Sequence, residues 1–366
     1  MRSASVPAAV LLALLLVPVS AGAADSVQWN GFALVRPETP ASGVPLDDDS
    51  FSAQLQAGID WRPSPTFGTH LHLLARNESD GSRRGRVGIV EAFLEQNIQT
   101  RGGRLHLMEG AFFLPTSREN IDSLWETPYT ITSSALNSWL GEELRPVGVD
   151  ASYAHRLHHA GLLNGTVIGG ATLFTGNDTF GALPIDRGWA LRDHWALLGE
   201  HLPVNATGTL FTSVSAENDD RLGWSARAKW NNDHATLQLT HIDNRSDALR
   251  YGELFNWATR YNIVGADYTW HHWTAVGETS WGTTAIQPAR GRFSFDLRAS
   301  YLLLSRQFSD FRASVRADQY ESGADHGHAF TAAFFWEPPH GKLRTGLEGI
   351  TADGEKRAAL EFRYRF

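Results

Sequence analysis

The sequence predicts an all-β fold: a transmembrane antiparallel up-and-down β-barrel of eighteen strands, with sixteen as the alternative. Three observations carry this. The last residues, "ALEFRYRF" (359–366), alternate Leu360, Phe362, Tyr364 and Phe366 with Glu361, Arg363 and Arg365. Side chains of a strand point to opposite faces in turn, so one face is greasy and the other ionic. The same period of two recurs in "WSARAKW" (224–230), "RFSFDLRAS" (292–300), "DFRASVRAD" (310–318) and "KLRTGLE" (342–348). Helical periodicity is scarce, with "RGWALRDHWALLGE" (187–200) the one ambiguous stretch. No run after the N-terminal segment approaches the ~18 apolar residues of a membrane helix.

Taken in order, residues 1–23 read as a secretory signal peptide. Arg2 precedes an apolar run centred on Val10–Val17, and Ala21-Gly22-Ala23 is a small-residue cleavage pattern. That run is shorter than the ~20 residues a spanning helix needs. The barrel then occupies 24–366. Seventeen strands are predicted at 26–36, 51–62, 67–76, 87–99, 104–113, 146–156, 163–174, 206–216, 221–230, 234–243, 258–270, 273–282, 292–303, 309–320, 328–337, 341–350 and 356–366. Single-chain bacterial barrels have even strand numbers, and orientation leaves 188–199 as the natural eighteenth. Short turns near 62–65, 100–103, 231–233 and 337–342 alternate with longer connections, which is the habit of a barrel with short turns on one side and long loops on the other.

Composition excludes several classes. The chain has no cysteine, so no disulfide supports it. Its net charge of −8, without a basic block, gives nucleic acid nothing to bind. The histidine pairs at 158–159 and 271–272 and the "HGH" at 326–328 lack the spacing of a defined metal site, so no metal or cofactor is expected. "DDD" at 47–49 reads as an acidic loop tip. Neither "GxSxG" nor "HExxH" occurs.

On period two the polar faces carry Arg76, Arg156, Arg227, Lys229, Arg292, Asp296, Arg298, Arg312, Arg316, Asp318, Arg344, Glu348 and Arg363. Two readings stand side by side. The charges pair between strands and hold the wall, or they line a pore and sort solutes. The longest connection, 114–146, holds Leu124, Trp125, Tyr129, Ile131, Leu136, Trp139 and Leu140. That is too apolar for a solvated tail. The segment is expected to fold into the barrel mouth, with Arg118, Glu119, Asp122, Glu126, Glu142 and Glu143 as rim charges, or to form a lid on the outer loops.

The signal segment, the missing cysteines, the period-two strands and the terminal "EFRYRF" together resemble Gram-negative outer-membrane barrels of the porin class, general or phosphate-selective. No lysine ladder of the phosphate-selective type is evident. The resemblance implies an outer-membrane channel for passive diffusion of small hydrophilic or ionic solutes, and not an enzyme. It implies Phe366 as the signal read by the barrel-assembly machinery, contact with outer-membrane lipid and lipopolysaccharide, and admits a homotrimer. The arginines crowding the last strands suggest a weakly anion-preferring or nearly non-selective channel. An outer-membrane hydrolase and a closed structural barrel are the alternatives. An energised receptor would need ~22 strands and a plug domain.

Overall fold

The computed structural model describes residues 26–39, 46, 50–77, 85–158, 164–205, 210–339 and 341–366. The expected signal peptide and the acidic tip 47–49 lie outside them. Sixteen strands close into one antiparallel barrel in chain order. They are β1 (Ser26–Pro37), β2 (Phe51–Ser64), β3 (Phe67–Arg76), β4 (Val87–Thr100), β5 (Gly103–Ala111), β6 (Val147–Leu157), β7 (Gly165–Thr175) and β8 (Gly223–Asn231). There follow β9 (Ala235–Asp243), β10 (Ala258–Trp270), β11 (Trp273–Ile286), β12 (Phe293–Phe308), β13 (Phe311–Ser322), β14 (Asp325–Trp336), β15 (Leu343–Ala352) and β16 (Glu355–Arg365).

The count is sixteen, not eighteen. The two segments expected between 174 and 221 are not barrel strands. Stretch 188–199 is irregular and largely buried, and of 206–216 only Phe211–Ser213 is extended among the described residues, paired with His201–Pro203 in a small hairpin. Period two identifies a strand only where one face is wet or greasy and the other is not. Here both sides are buried inside the barrel, so alternation carries no such information.

Closure brings β16 onto β1, with Phe32 opposite Arg365 and Val35 opposite Phe362. Phe366 completes the seam. Its N–H donates to the Gly31 carbonyl at 3.1 Å, and its ring lies where a Cβ on residue 31 would come within 2.7 Å. Only glycine fits under that ring.

The outer surface has an apolar belt with aromatic ends. Near the short turns, Tyr268, Trp270 and Trp273 stack in sequence, Phe308 and Phe334 both lie against Phe311, and Trp29, Trp336 and Tyr364 are exposed beside them. Phe51, Trp281, Phe293 and Phe330 project outward toward the long-loop end. Such girdles mark the two membrane interfaces, with short turns on the periplasmic side. Tyr301 and Trp257 do not join the girdles; they point inward and are buried.

Strand β12 is inverted relative to expectation. Leu297 (0% exposed), Ala299, Tyr301 and Leu303 face the interior, whereas Asp296 and Arg298 face outward, the Arg298 side chain 62% exposed. Arg292 lies exposed before the strand. The cause is the environment at the long-loop end. There the outer face meets water, and the inner face meets an apolar loop core, so the polarity of the two faces reverses. Farther down the same strand Leu302 and Leu304 face outward, as lipid requires.

Candidate functional site: the barrel interior

One wall of the interior is built to hold a loop. Segment 112–146 leaves β5, turns inward and carries helix α1 (Ala135–Glu143), whose N-cap Ser134 Oγ accepts from the Asn137 N–H at 3.3 Å. Inward residues of β11, β13, β15 and β16 grip it. Arg316, fully buried, donates from Nη1 to Glu119 at 2.7 Å and to the Thr132 carbonyl at 2.6 Å, from Nη2 to the Ser133 carbonyl at 3.0 Å, and from Nε to Asp318 at 2.8 Å. Glu348 accepts from the Ile131 N–H at 2.6 Å and the Thr132 hydroxyl at 2.8 Å. Glu278 accepts from Asn137 Nδ2 at 2.8 Å and the Tyr301 hydroxyl at 2.5 Å. Arg363 pairs with Glu126 on the loop and Glu361 on its own strand. Arg344 lies 3.8 Å over the Phe335 ring and 3.6 Å from Glu361. These buried arginines each have an opposite charge or an aromatic face, the condition for placing them in a dry interior.

A second inserted segment, described over 176–205 and 210–222, goes beyond what the sequence predicts. Arg36 on β1 binds Asp193 through both carboxylate oxygens at 2.8 and 2.7 Å, and Arg76 on β3 binds Glu200 at 2.5 Å and the Trp195 carbonyl at 2.8 Å. Arg187 and Arg192 both reach Glu142 of α1. Glu143 accepts from Trp139 Nε1 and from the N–H groups of Gly181, Ala182 and Leu183 at 2.6 to 3.2 Å. Burial pushes the Glu143 carboxyl up to about 7, against the pull of those donors. Around these polar ties runs one apolar core: Trp139 stacks on Phe180 at 4.6 Å and meets Trp189 and Tyr261 edge-on. The same core takes in Leu183, Leu191, Ile242, Ile263, Leu297, Tyr320 and Ile350, so loop residues are packed against the upper inner walls of β9, β10, β12, β13 and β15. The sequence does hold a signal for it. Trp189, Leu191, Trp195 and Leu197 make 188–199 as apolar as the loop expected to insert.

Below the core, on the side of β4, β5 and β8, a cavity of about 490 Å³ remains between segment 112–146 and the wall. Phe93, Met108, Phe112, Phe113 and Trp125 line it, with Glu91, Arg118, Asp122 and Lys229. A bulge helps to shape it. Leu73 pairs with Ile89 and His72 with Glu91, which leaves Val90 extra, and both Val90 and Glu91 are buried. Phe113 and Trp125 stack at 4.4 Å, with Trp195 edge-on to both.

The expected pore-lining residues therefore divide. Arg76, Arg316, Asp318, Arg344, Glu348 and Arg363 point inward but are buried and engaged. Arg227 points inward and is held by Asp150 at 2.5 and 2.7 Å, and Arg312 by Glu337 at 2.7 Å. Arg156 is exposed at the short-turn end of β6, and Lys229 is half-buried in the cavity wall. Arg292, Asp296 and Arg298 are outside the interior. Of the expected rim charges, Glu119, Glu126, Glu142 and Glu143 are buried in pairs or hydrogen bonds instead of lining a rim, because the loop lies deep enough to exclude water from them. Arg118 and Asp122 border the cavity.

No family model matches the chain, and no curated protein matches it. Solved structures do resemble it. OmpF of Salmonella typhi in complex with daunomycin aligns at TM-score 0.58 and 12% identity, over 93% of this chain and 98% of that one. OmpT, an outer-membrane protein of Vibrio cholerae in a trimer form, aligns at 0.55 and 11%, over 94% and 100%. An anion-selective porin of Comamonas acidovorans aligns at 0.54 and 11%, over 94% and 100%. At these identities the likeness is one of fold: the chain has the closed β-barrel fold of the porins.

Proposed function

We propose that the protein is an outer-membrane channel for passive diffusion of small hydrophilic or ionic solutes. The observation that carries this reading is segment 112–146, hung inside a sixteen-stranded barrel on Arg316, Glu348 and Arg363 with a partly polar cavity left beside it. Barrels of 16–18 strands are wide enough for an aqueous lumen. In this reading solutes move along the wall of β4, β5 and β8 past Arg118, Arg227 and Lys229. The arginines of β13, β15 and β16 serve as loop anchors, so they no longer argue for anion preference. Segments 176–205 and 210–222 narrow the extracellular mouth and set the size of solute admitted. The signal peptide 1–23, recognition of Phe366 by the assembly machinery, contact with lipid and lipopolysaccharide, and a homotrimer belong to the same proposal, the last supported by the trimer form of Vibrio cholerae OmpT.

A second reading, a closed structural barrel, is favoured by the apolar core at the long-loop end. A hydrolase has less support: His70 pairs with Asp60 at 2.8 Å on the interior wall, and no serine is hydrogen-bonded to that histidine among the described residues. Planar-bilayer recording of the refolded barrel decides between channel and closed barrel. A channel gives discrete conductance steps in potassium chloride and admits glucose to liposomes. Folded, heat-modifiable protein that gives neither selects the closed barrel.

A further inference from the structure

The cavity beside segment 112–146 is more than a gap in the lumen. Its volume, about 490 Å³, and its largely apolar and aromatic lining with a few charged groups are those of a small-molecule site. It reaches from Phe112 and Phe113 to Ile121, exposed on the periplasmic side of the loop, and to the half-buried Asp122 beside it. Lys229 sits two residues before the short-turn end of β8.

The charges in it are unequally engaged. Glu91 accepts from the Phe113 N–H at 2.7 Å and lies 3.6 Å from His72. Asp122 faces Arg365 at 3.5 Å, and Arg227, on the same strand as Lys229 but outside the lining, is neutralised by Asp150. Asp267, 3.7 Å from Arg118, is the carboxylate that acts on Lys229. Two cations, Arg118 and Lys229, share it. Arg118 Nε has no hydrogen-bond partner, and no hydrogen bond or ion pair engages the Lys229 ammonium among the described residues. An ammonium has three N–H donors and no acceptor, so what it lacks is an anion.

From this geometry we infer that the cavity is a binding site, open to the periplasm, for small monoanions with a flat apolar or aromatic body, the arylcarboxylates being the simplest class. The carboxylate sits on Lys229 and Arg118, and the ring lies among Phe93, Phe113 and Trp125. This deepens the channel reading by naming its solute class, and rests on it only for passage; binding itself requires no open path.

The test is calorimetric titration of the refolded chain in a non-ionic detergent with benzoate, acetate and benzylamine. Benzoate is expected to bind more tightly than acetate, and benzylamine to give no heat. Lys229→Gln should weaken benzoate about tenfold or more, the effect of roughly one charge-assisted hydrogen bond. Its circular dichroism and heat-modifiable migration should stay unchanged. Phe113→Leu should weaken benzoate and leave acetate alone. Equal binding of benzoate and benzylamine, or full benzoate affinity in folded Lys229→Gln, overturns the site. Conductance with no benzoate binding defeats the site and spares the channel; benzoate binding with no conductance does the reverse.

Discussion

The two ends of the barrel interior differ in kind. Toward the extracellular mouth the space is largely dry: aromatic and aliphatic side chains of segments 112–146, 176–205 and 210–222 pack on the inner wall, and charges there are buried in pairs. Toward the periplasm it is open, with half-buried charges around a cavity. One barrel wall thus serves two solvents, and a residue's role follows from its height on the strand as much as from its face. Arginine illustrates the point. Arg316 and Arg298 stand on adjacent strands, yet the first is a fully buried anchor and the second an exposed surface group.

The largest expected effect separates those two. Arg316→Met leaves Glu119 and Asp318 without their cation in a dry site, a loss of about 3–5 kcal/mol. It should release segment 112–146 to limited proteolysis while the barrel stays folded. Arg298→Met removes only an exposed contact, with Glu321 at 3.6 Å, and should cost ~0–1 kcal/mol with the loop still protected.

Next come two leucines on β12. Leu297→Ala, cut from the loop core, should cost about 2–5 kcal/mol and loosen segment 176–222. Leu302→Arg, on the lipid face at 67% exposure, should cost about 2–4 kcal/mol if it lies near the bilayer midplane, through the barrel and not the loops. Unfolding by urea in vesicles, read by tryptophan fluorescence and by heat-modifiable migration, distinguishes loop loss from barrel loss. The reverse pattern would restore the opposite parity for this strand.

The smallest effect is that of pH. Burial raises Glu143 and Asp178, both in the inserted loops, to about 7. A carboxyl raised in the packed state binds its proton there at a pH where the solvated group has lost it. The packed state therefore holds more protons between about pH 4 and 7, and its stability is greatest below that window and falls as pH rises through it. Asp193 has the opposite sign: burial would raise it, but Arg36 holds it low, so its contribution is lost only in stronger acid. Conductance should accordingly increase from pH 5 to pH 8, and Glu143→Gln should flatten that rise.

Strand positions are legible in the sequence because lipid on one side and a polar interior on the other impose period two on most of the barrel. The same logic puts Arg316, Arg344 and Arg363 on the inward face, where they lie. It fails at β12 above the membrane, where water is outside and an apolar core inside, so Leu297 and Arg298 exchange places. It fails again at 188–199, where burial on every side removes the alternation. The partners of Arg36 and Arg76 are illegible for a further reason: Asp193 and Glu200 are distant in sequence and meet them only through the fold of a loop.

The central claim is that the interior narrows at the extracellular end, where segments 176–205 and 210–222 pack on the wall, to a path for small solutes only, and is wider toward the periplasm. The chain has no cysteine, so a single introduced thiol reports on its own position. The most direct measurement is labelling of Lys229→Cys by a bulky, charged, membrane-impermeant maleimide, larger than the glucose that the channel admits, applied to intact cells or to the periplasmic face, with and without replacement of 188–200 by a short Gly-Ser linker. The account predicts labelling from the periplasmic face alone in the full-length chain, and from both faces once the linker is in place. Equal labelling from outside in the full-length chain would contradict it.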